Sequence, residues 1–196
     1  MNVGPEWIEQ VRAAIAARTR HEIALADGLT RAAVLVPLMR AADGLRLLLT
    51  LRTEWVGTHK GQISFPGGKT DPGDANPLAT ALREAHEELA IQPEDVDVLG
   101  ALDDIITITD FLVTPIVGTL PHPYPYLPRA DEIAQVMEIP LARFLDASIH
   151  RTEERGTRNG APHLVHFYDL DGTVVWGATA RFIHAFVELA FPGQPR

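Results

Sequence analysis

The sequence contains no cysteine, and this absence removes several kinds of chemistry at once. A chain without thiols forms no disulfide bond, no zinc-thiolate site and no cysteine nucleophile. Positive charge is also scarce, with 17 Lys and Arg against 26 Asp and Glu and a formal net charge of −9. Because nucleic acid binding depends on clustered basic side chains, we expect no nucleic acid partner.

Long hydrophobic runs are missing as well. The longest, such as residues 32–39, are far shorter than the roughly 20 residues that a membrane helix requires. The first residues lack the basic, apolar and small-residue pattern of a secretory signal. We therefore expect no membrane partner and a cytoplasmic location. The 196 residues are 46% hydrophobic and carry no internal repeat or linker, which predicts one domain over residues 1–196.

The spacing of apolar residues predicts three helices among several strands. Helices are expected over "PEWIEQVRAAIAA", over Asn76 to Leu89 and over "ATARFIHAFVELAF". In the second of these, Asn76 is the expected N-cap, Pro77 takes the first helical position and Pro93 closes the helix. Strands are expected at "AAVLVPLM", "LRLLLTLR", "VDVLGALD", "FLVTPIVGTL" and "IAQVMEI", with a hairpin "HLVHFYDLDGTVVW" turning at Asp171-Gly172. Because the strands come in runs with helices between them, the pattern favours a mixed-sheet α/β or α+β sandwich.

The central helix concentrates negative charge on one side. At about 100° per residue, Glu84, Glu87 and Glu88 fall on one face beside the apolar stripe. Like charges at i and i+4 destabilise a bare helix by roughly a few tenths of a kcal/mol, and Arg83 offsets part of this. A hard divalent cation would offset the rest, since it binds carboxylate oxygens. A solvated glutamate-rich face is the alternative.

The stretch Gly67-Gly68-Lys69-Thr70 ends like the phosphate-binding loop of an ATPase, but the rest of that motif is absent. Ile63 stands where the first glycine is required, and Asp71 and Pro72 follow where a helix should begin. The two glycines instead leave main-chain groups of a loop able to approach a ligand closely. A simple turn is the alternative.

This loop and the helix after it resemble the signature of the Nudix hydrolases, Gx5Ex7REUxEExGU, where U is apolar. The match runs from Gly68 through Asp74 to "REAHEELAI", with Asp74 and a longer spacer in place of the first glutamate and Ala90 in place of the last glycine. If Ala90 adopts a left-handed conformation, the change costs about 1 kcal/mol. The resemblance implies an α/β/α sandwich with a mixed β-sheet between helices, and hydrolysis of a nucleoside diphosphate linked to another group with Mg²⁺ or Mn²⁺.

The preceding segment is similar to the signature of one branch, the coenzyme A pyrophosphatases. That signature, LLTxR[SA]x3Rx3Gx3FPGG, aligns with "LLTLRTEWVGTHKGQISFPGG", except that Thr53 replaces Ser or Ala and Gly57 replaces an arginine. The likeness spans residues 31–185, so we expect a Nudix core over about residues 31–190 behind an N-terminal helical extension, residues 1–30. It implies cleavage of coenzyme A or acyl-coenzyme A into 3′,5′-ADP and 4′-phosphopantetheine or its acyl form.

The resemblance also implies a set of metal ligands. Glu84 and Glu88 are expected to be the principal ones, Glu87 a further or water-mediated one, and the Gly67 carbonyl a main-chain ligand. Oxygen donors without thiolates or a histidine cluster favour Mg²⁺ or Mn²⁺ over zinc.

Other residues are expected to support the reaction. Arg83 orients Glu87, and Asp74 braces the loop. The general base often comes from a loop outside the signature in this superfamily, and our candidate is Glu132, with Glu84 or Glu87 as alternatives. Four residues are expected to contact the substrate near its phosphates, with an ordinary surface position as the alternative for each: Arg52, His59, Gln62 and Lys69.

Several alternatives stay open at this point. The partner is a small-molecule nucleoside diphosphate-X substrate, and Gly57 favours ADP-ribose or another such compound, because the missing guanidinium removes a phosphate contact. A non-catalytic Nudix-fold binding module is a further option, and the oligomeric state is open, with a homodimer as one option. No shared metal is expected at His163 and His166, which point to opposite faces of a strand, and His184 is expected to be a packing residue.

Overall fold

The computed structural model describes residues 5–54, 61–158 and 161–193. In these residues the chain forms three α-helices, namely α1 (Pro5–Ala17), α2 (Pro77–Leu89) and α3 (Gly177–Ala190). The strands are β1 (Thr30–Ala41), β2 (Gly44–Arg52), β3 (Ile63–Ser64), β4 (Gly67–Lys69), β5 (Asp97–Ala101), β6 (Ile105–Ile106), β7 (Phe111–Leu120), β8 (Ile133–Pro140), β9 (His150–Arg158), β10 (Ala161–Leu170) and β11 (Thr173–Trp176). None of the helices in this part of the chain is long and apolar enough to span a membrane.

The larger sheet is mixed, as the sequence predicts. Strand β1 pairs in parallel with β7 and antiparallel with β2, and the order across the sheet is β3-β2-β1-β7-β5. Strand β4 pairs with β1, β6 with β7 and β8 with β2. Gly67 and Gly68 therefore belong to a short strand, whereas the sequence predicted an open loop. Their lack of side chains lets β4 lie close against β1, where Gly68 faces Ala33 and Gly67 faces Val34.

Helices cover both faces of this sheet. Alternate residues of β1 point to opposite sides, so Leu35 packs beneath α2 while Val36 packs against α1 and α3. Both side chains are fully buried, and each such burial contributes about 1.5–3 kcal/mol to folding. The structure thereby confirms the α/β/α sandwich.

Helix α2 is closed at both ends by specific backbone conformations. The Asn76 side chain accepts a hydrogen bond from the Ala79 N–H at 3.0 Å, as its predicted N-cap role requires. The helix ends at Leu89 because Ala90 adopts the left-handed conformation, with φ 57° and ψ 27°, and its N–H donates to the His86 carbonyl at 2.8 Å. The prediction that Pro93 closes the helix is wrong, since the chain has already turned when it reaches that residue.

The N-terminal segment packs on the face opposite α2. Trp7 contacts the rings of Phe186 and Phe191 in and just after α3. Arg12 donates a hydrogen bond to the Val98 carbonyl at 2.6 Å, and so ties α1 to β5. Helix α1 thus contributes to the same core as α3.

Strands β9, β10 and β11 form a second, antiparallel sheet in the order β11-β10-β9. The predicted turn between β10 and β11 is present, with Asp171 at φ 53° and Gly172 at φ 90°, values typical of a tight hairpin turn. Strand β9 was not predicted, because its sequence "HRTEERGTR" is polar throughout and shows no apolar alternation.

Candidate active site

Glu88 is the most buried of the three glutamates on α2. It is only 4% exposed, and its carboxylate accepts hydrogen bonds from the Gly67 N–H and from Arg52 Nη1, each at 3.3 Å. Burial raises the pKa of Glu88 to about 7, although Arg52 and the Gly67 N–H act in the opposite direction. Arg52 and the Gly67 N–H thus offset only part of the cost of burying the charged carboxylate, and a bound cation would stabilise that charge further.

Glu84 lies one turn earlier and packs directly on the main chain of β4. Its side chain is 17% exposed, and burial raises its pKa against the effect of Arg83. A Cβ placed on Gly68 would stand 2.5 Å from the Glu84 carboxyl carbon. Any residue other than glycine would therefore displace the carboxylate. Gly67 is constrained in a second way, because it has φ 156° and a Cβ there would collide with the Ala33 carbonyl oxygen.

Arg83 connects the loop after β4 to the carboxylates of α2. Its guanidinium donates to Asp74 at 3.0 and 2.9 Å and to the Lys69 carbonyl at 2.8 Å. It also donates to Glu84 at 3.0 Å and to Glu87 at 3.3 Å. The hydrogen bonds from Arg83 hold the pKa of Asp74 well below its usual range. The contact to Glu87 and the bracing contact of Asp74 lie where the sequence analysis expected them, and the contact to Glu84 is an addition.

Glu87 is the outermost of the three glutamates. Its side chain is 47% exposed, and its described ion-pair partner is Arg83. It therefore faces solvent at the rim of the site.

Glu132 reaches the same site from the loop before β8. Arg52 Nη2 lies 3.8 Å from its carboxylate and Arg129 Nη1 lies 3.1 Å from it. The Arg129 N–H donates to the Glu88 carbonyl at 2.8 Å, which fastens this loop to the end of α2. Arg52 thus lies between Glu88 and Glu132. Arg129 was missed by the sequence analysis, and nothing in its local sequence distinguishes it.

The predicted phosphate contacts divide into separate groups. Arg52 lies at the carboxylates, and its N–H donates to the Gln62 carbonyl at 3.0 Å, so Gln62 is adjacent. The Lys69 ammonium instead lies 5.6 Å from the centre of the Phe111 ring. Lys69 pairs with Ala32, whose side chain faces α1 and α3, so the structure does not bring Lys69 to the carboxylates. His59 lies outside the described residues.

The structure also gathers three histidines that the sequence analysis did not group together. His150, His166 and His184 each offer a ring nitrogen within 4.8 Å of the others. His184 was expected only to pack in the helix. His163 and His166 were expected on opposite faces of a strand, and this gave no reason to look for other partners of His166. The contact depends on β9, the strand that the sequence did not reveal.

Comparison with curated proteins identifies close relatives of this chain. A NudL protein of Cronobacter sakazakii, described as an uncharacterized Nudix hydrolase, is 44% identical over 159 residues that cover 78% of this chain and 79% of its own. A NudL protein of Photorhabdus laumondii with the same description is 40% identical over 164 residues, covering 84% of this chain and 87% of its own.

Solved structures share the fold at lower identity. The Nudix hydrolase RenU of M. smegmatis superposes with a TM-score of 0.50 at 19% identity, covering 58% of this chain and 72% of its own. A NUDIX hydrolase from Alicyclobacillus acidocaldarius gives a TM-score of 0.50 at 18% identity, covering 62% and 83%. These likenesses support the fold alone.

The family comparison covers α2, which carries the three glutamates, and β4, which carries Gly67 and Gly68. The sequence profile of the NUDIX domain matches residues 29–155, which include β1, β4, α2 and the loop that carries Glu132. Together with relatives at 40% identity or more, this match shows that the chain belongs to the Nudix hydrolases, enzymes that act on nucleoside diphosphates linked to another group.

Proposed function

We propose that the protein hydrolyses the pyrophosphate bond of coenzyme A or acyl-coenzyme A in a reaction that depends on Mg²⁺ or Mn²⁺. The products are 3′,5′-ADP and 4′-phosphopantetheine or its acyl form. One observation carries the proposal: two described residues of the segment that resembles the coenzyme A branch signature lie beside the carboxylates of α2. Arg52 and Gly67, both within that segment, contact Glu88 directly.

The donor set of the site fits a hard divalent cation. Glu84 and Glu88 offer only oxygen atoms, both side chains are largely buried, and a Cβ on Gly68 would fill the space that the Glu84 carboxylate occupies. We propose these two glutamates as the principal ligands, with Glu87 and the Gly67 carbonyl as further ones. When bound, the cation polarises phosphoryl oxygens and lowers the pKa of the attacking water.

The protein's own side chains supply the remaining functions. Arg52 presents a guanidinium between Glu88 and Glu132, where it meets the phosphate of a bound substrate. Glu132 lies at the edge of the same site and is our candidate to accept the proton of the attacking water. Arg83 acts as a positioning residue, because it contacts both Glu84 and Glu87.

A substrate panel tests the proposed substrate. Coenzyme A, acetyl-coenzyme A and ADP-ribose are each incubated with the protein and Mg²⁺ or Mn²⁺, and the products are separated by chromatography. We expect 3′,5′-ADP from the first two compounds. If coenzyme A and its acetyl ester stay intact while ADP-ribose is cut, the substrate assignment is wrong and the Nudix chemistry stands.

Two pairs of variants test the assigned roles. Glu84→Gln combined with Glu88→Gln should abolish hydrolysis while the circular dichroism spectrum is retained, and unchanged activity would refute the metal assignment. Glu132→Gln should lower kcat, because the amide cannot accept the proton of the attacking water. Asp131→Asn is its matched control, because Asp131 is the exposed neighbour and pairs with Arg129. Equal effects of the two single variants would exclude Glu132 as the base.

ADP-ribose or a related dinucleotide is the second candidate substrate. The observation in its favour is Gly57, which lies outside the described residues and stands where the branch signature has an arginine. Gly57→Arg should raise kcat/KM for coenzyme A more than for ADP-ribose, because the added guanidinium restores a phosphate contact in the first case.

A further inference from the structure

Three histidines from three different elements meet beside the small sheet. His150 begins β9, His166 lies in β10 and His184 lies in α3, and we call them the histidine cluster. His150 Nε2 lies 3.0 Å from His166 Nδ1. The centre of the His184 ring lies 5.0 Å from the centre of the His150 ring and 4.4 Å from the centre of the His166 ring. All three side chains are partly buried.

The register of β9 and β10 sets up this meeting. His150 pairs with Tyr168, and His166 comes two residues before Tyr168 on the same strand, so both histidines project from one face of the sheet. The Tyr168 ring is buried and stacks on the His150 ring at 4.7 Å. Helix α3 adds His184 by packing against that face.

We propose that the histidine cluster is a binding site for a late first-row divalent cation of the Zn²⁺, Ni²⁺ and Co²⁺ class, separate from the carboxylate site. Neutral imidazoles are preferred ligands of these ions, and three protein nitrogens with water in the fourth position complete a tetrahedral zinc site. Such a site has Zn–N bonds of about 2.0–2.1 Å, which hold neighbouring nitrogens roughly 3.3 Å apart. The His150–His166 separation of 3.0 Å already approaches this value, and His184 lies within 4.8 Å.

The three rings must turn before the cluster becomes a ligand set. The ring planes lie 13° to 30° from one another, so the rings must turn to aim their lone pairs at a common point. A bound cation would then join β9, β10 and α3, and would stabilise the folded chain by preferring it over the unfolded one.

The two metal sites differ in the ions they select. The active-site glutamates supply hard oxygen donors, whereas the histidine cluster supplies nitrogen donors, and among the described residues it contains no carboxylate. Excess Mg²⁺ therefore occupies the glutamates and leaves the histidines to zinc or cobalt. Binding at the cluster can be measured whether or not the proposed hydrolysis is correct.

The test is a metal titration of the full chain. Protein stripped with a chelator is titrated in excess Mg²⁺ with Co²⁺, followed by visible absorption, and with Zn²⁺, followed by calorimetry. We expect one high-affinity ion per chain and visible cobalt bands typical of a tetrahedral site. Zinc at about a hundredfold excess over its dissociation constant should raise the thermal midpoint by roughly 5–10 °C.

Variants locate the binding. His166→Gln and His184→Gln should each weaken zinc binding at least tenfold, and the second variant serves if the first fails to fold. His122→Gln is the matched control, because His122 contacts Glu138 at 3.2 Å outside the cluster. Arg181→Gln should tighten binding several-fold, since Arg181 places a positive charge near His166. Equal zinc affinity in wild type and both cluster variants, or no zinc binding by the wild type, would overturn the proposal.

Discussion

Replacement of Gly68 by alanine should impair the proposed metal site and leave the fold intact. The new Cβ would stand 2.5 Å from the Glu84 carboxyl carbon, whereas carbon atoms in ordinary contact lie about 3.5–4.0 Å apart. The Glu84 carboxylate must therefore retreat by about 1 Å. The carboxylate is the far end of a flexible side chain, and the Gly68 backbone is not left-handed, so the strand itself need not move.

The expected loss falls on catalysis more than on stability. A displacement of about 1 Å at a catalytic group lowers the rate on the order of a hundredfold, which corresponds to roughly 2.7 kcal/mol. The displaced carboxylate also loosens its 3.0 Å hydrogen bond to Arg83. Arg83 keeps its other partners, so the free energy of unfolding should fall by no more than about 1 kcal/mol.

The assay is hydrolysis measured against Mg²⁺ concentration, with thermal melting in parallel. Gly73→Ala is the control, because Gly73 lies in the loop that follows and a Cβ there meets nothing within 4 Å. Gly68→Ala should lose activity at limiting Mg²⁺ and recover part of it at high Mg²⁺, while Gly73→Ala behaves as the wild type. Full activity in Gly68→Ala, or an equal loss in both variants, would refute the inference that Glu84 holds the cation.

Three further substitutions have defined outcomes. Arg83→Lys removes the planar guanidinium that contacts several carboxylates at once. The free energy of unfolding in urea should fall by about 1–3 kcal/mol and hydrolysis should fall at least tenfold. A urea profile equal to that of the wild type would contradict this. Ala90→Gly relieves the left-handed φ of 57°, so stability should rise by about 1 kcal/mol with unchanged turnover, and an unraised thermal midpoint would count against it. Asp104 is buried, and although burial acts to raise its pKa, hydrogen bonds from Thr114 and Arg20 hold that pKa below its usual value. This stabilisation is present at neutral pH and is lost as acidification protonates the carboxylate. In urea unfolding, Asp104→Asn should therefore be less stable than the wild type at pH 7 and should lose less stability than the wild type between neutral and acid pH.

The sequence was most informative where structure depends on neighbours along the chain. The cap at Asn76, the apolar stripe of α2 and the spacing of Glu84 and Glu88 all depend on interactions within four residues. Such patterns can be read without knowledge of the rest of the fold, and the structure reproduces each of them. The left-handed conformation of Ala90 follows the same logic, because its position in the signature already called for glycine.

Contacts across the sheet were harder to predict, because they depend on which face each residue points to. Gly68 lies opposite Ala33 in β1 and faces α2, so the next residue, Lys69, must point to the other side. That alternation applies only once the segment is known to be a strand, and "GGK" gives no strand signal because glycine has low strand propensity. The sequence prediction of Lys69 as a phosphate contact therefore took no account of the face to which its side chain points.

The histidine cluster depends on an irregularity in the β9–β10 pairing. At the start of β10, Ala161 pairs with Arg158, but a shift of one residue between Pro162 and Leu164 changes the register for the rest of the ladder. Without that shift, Tyr168 would pair with Arg151 instead of His150, and His150 and His166 would project from opposite faces of the sheet. One extra residue in the ladder thus decides whether these two imidazoles meet beneath α3. Because bulges of this kind redirect side chains and leave no clear mark in a polar strand, the cluster could be found only from the three-dimensional structure.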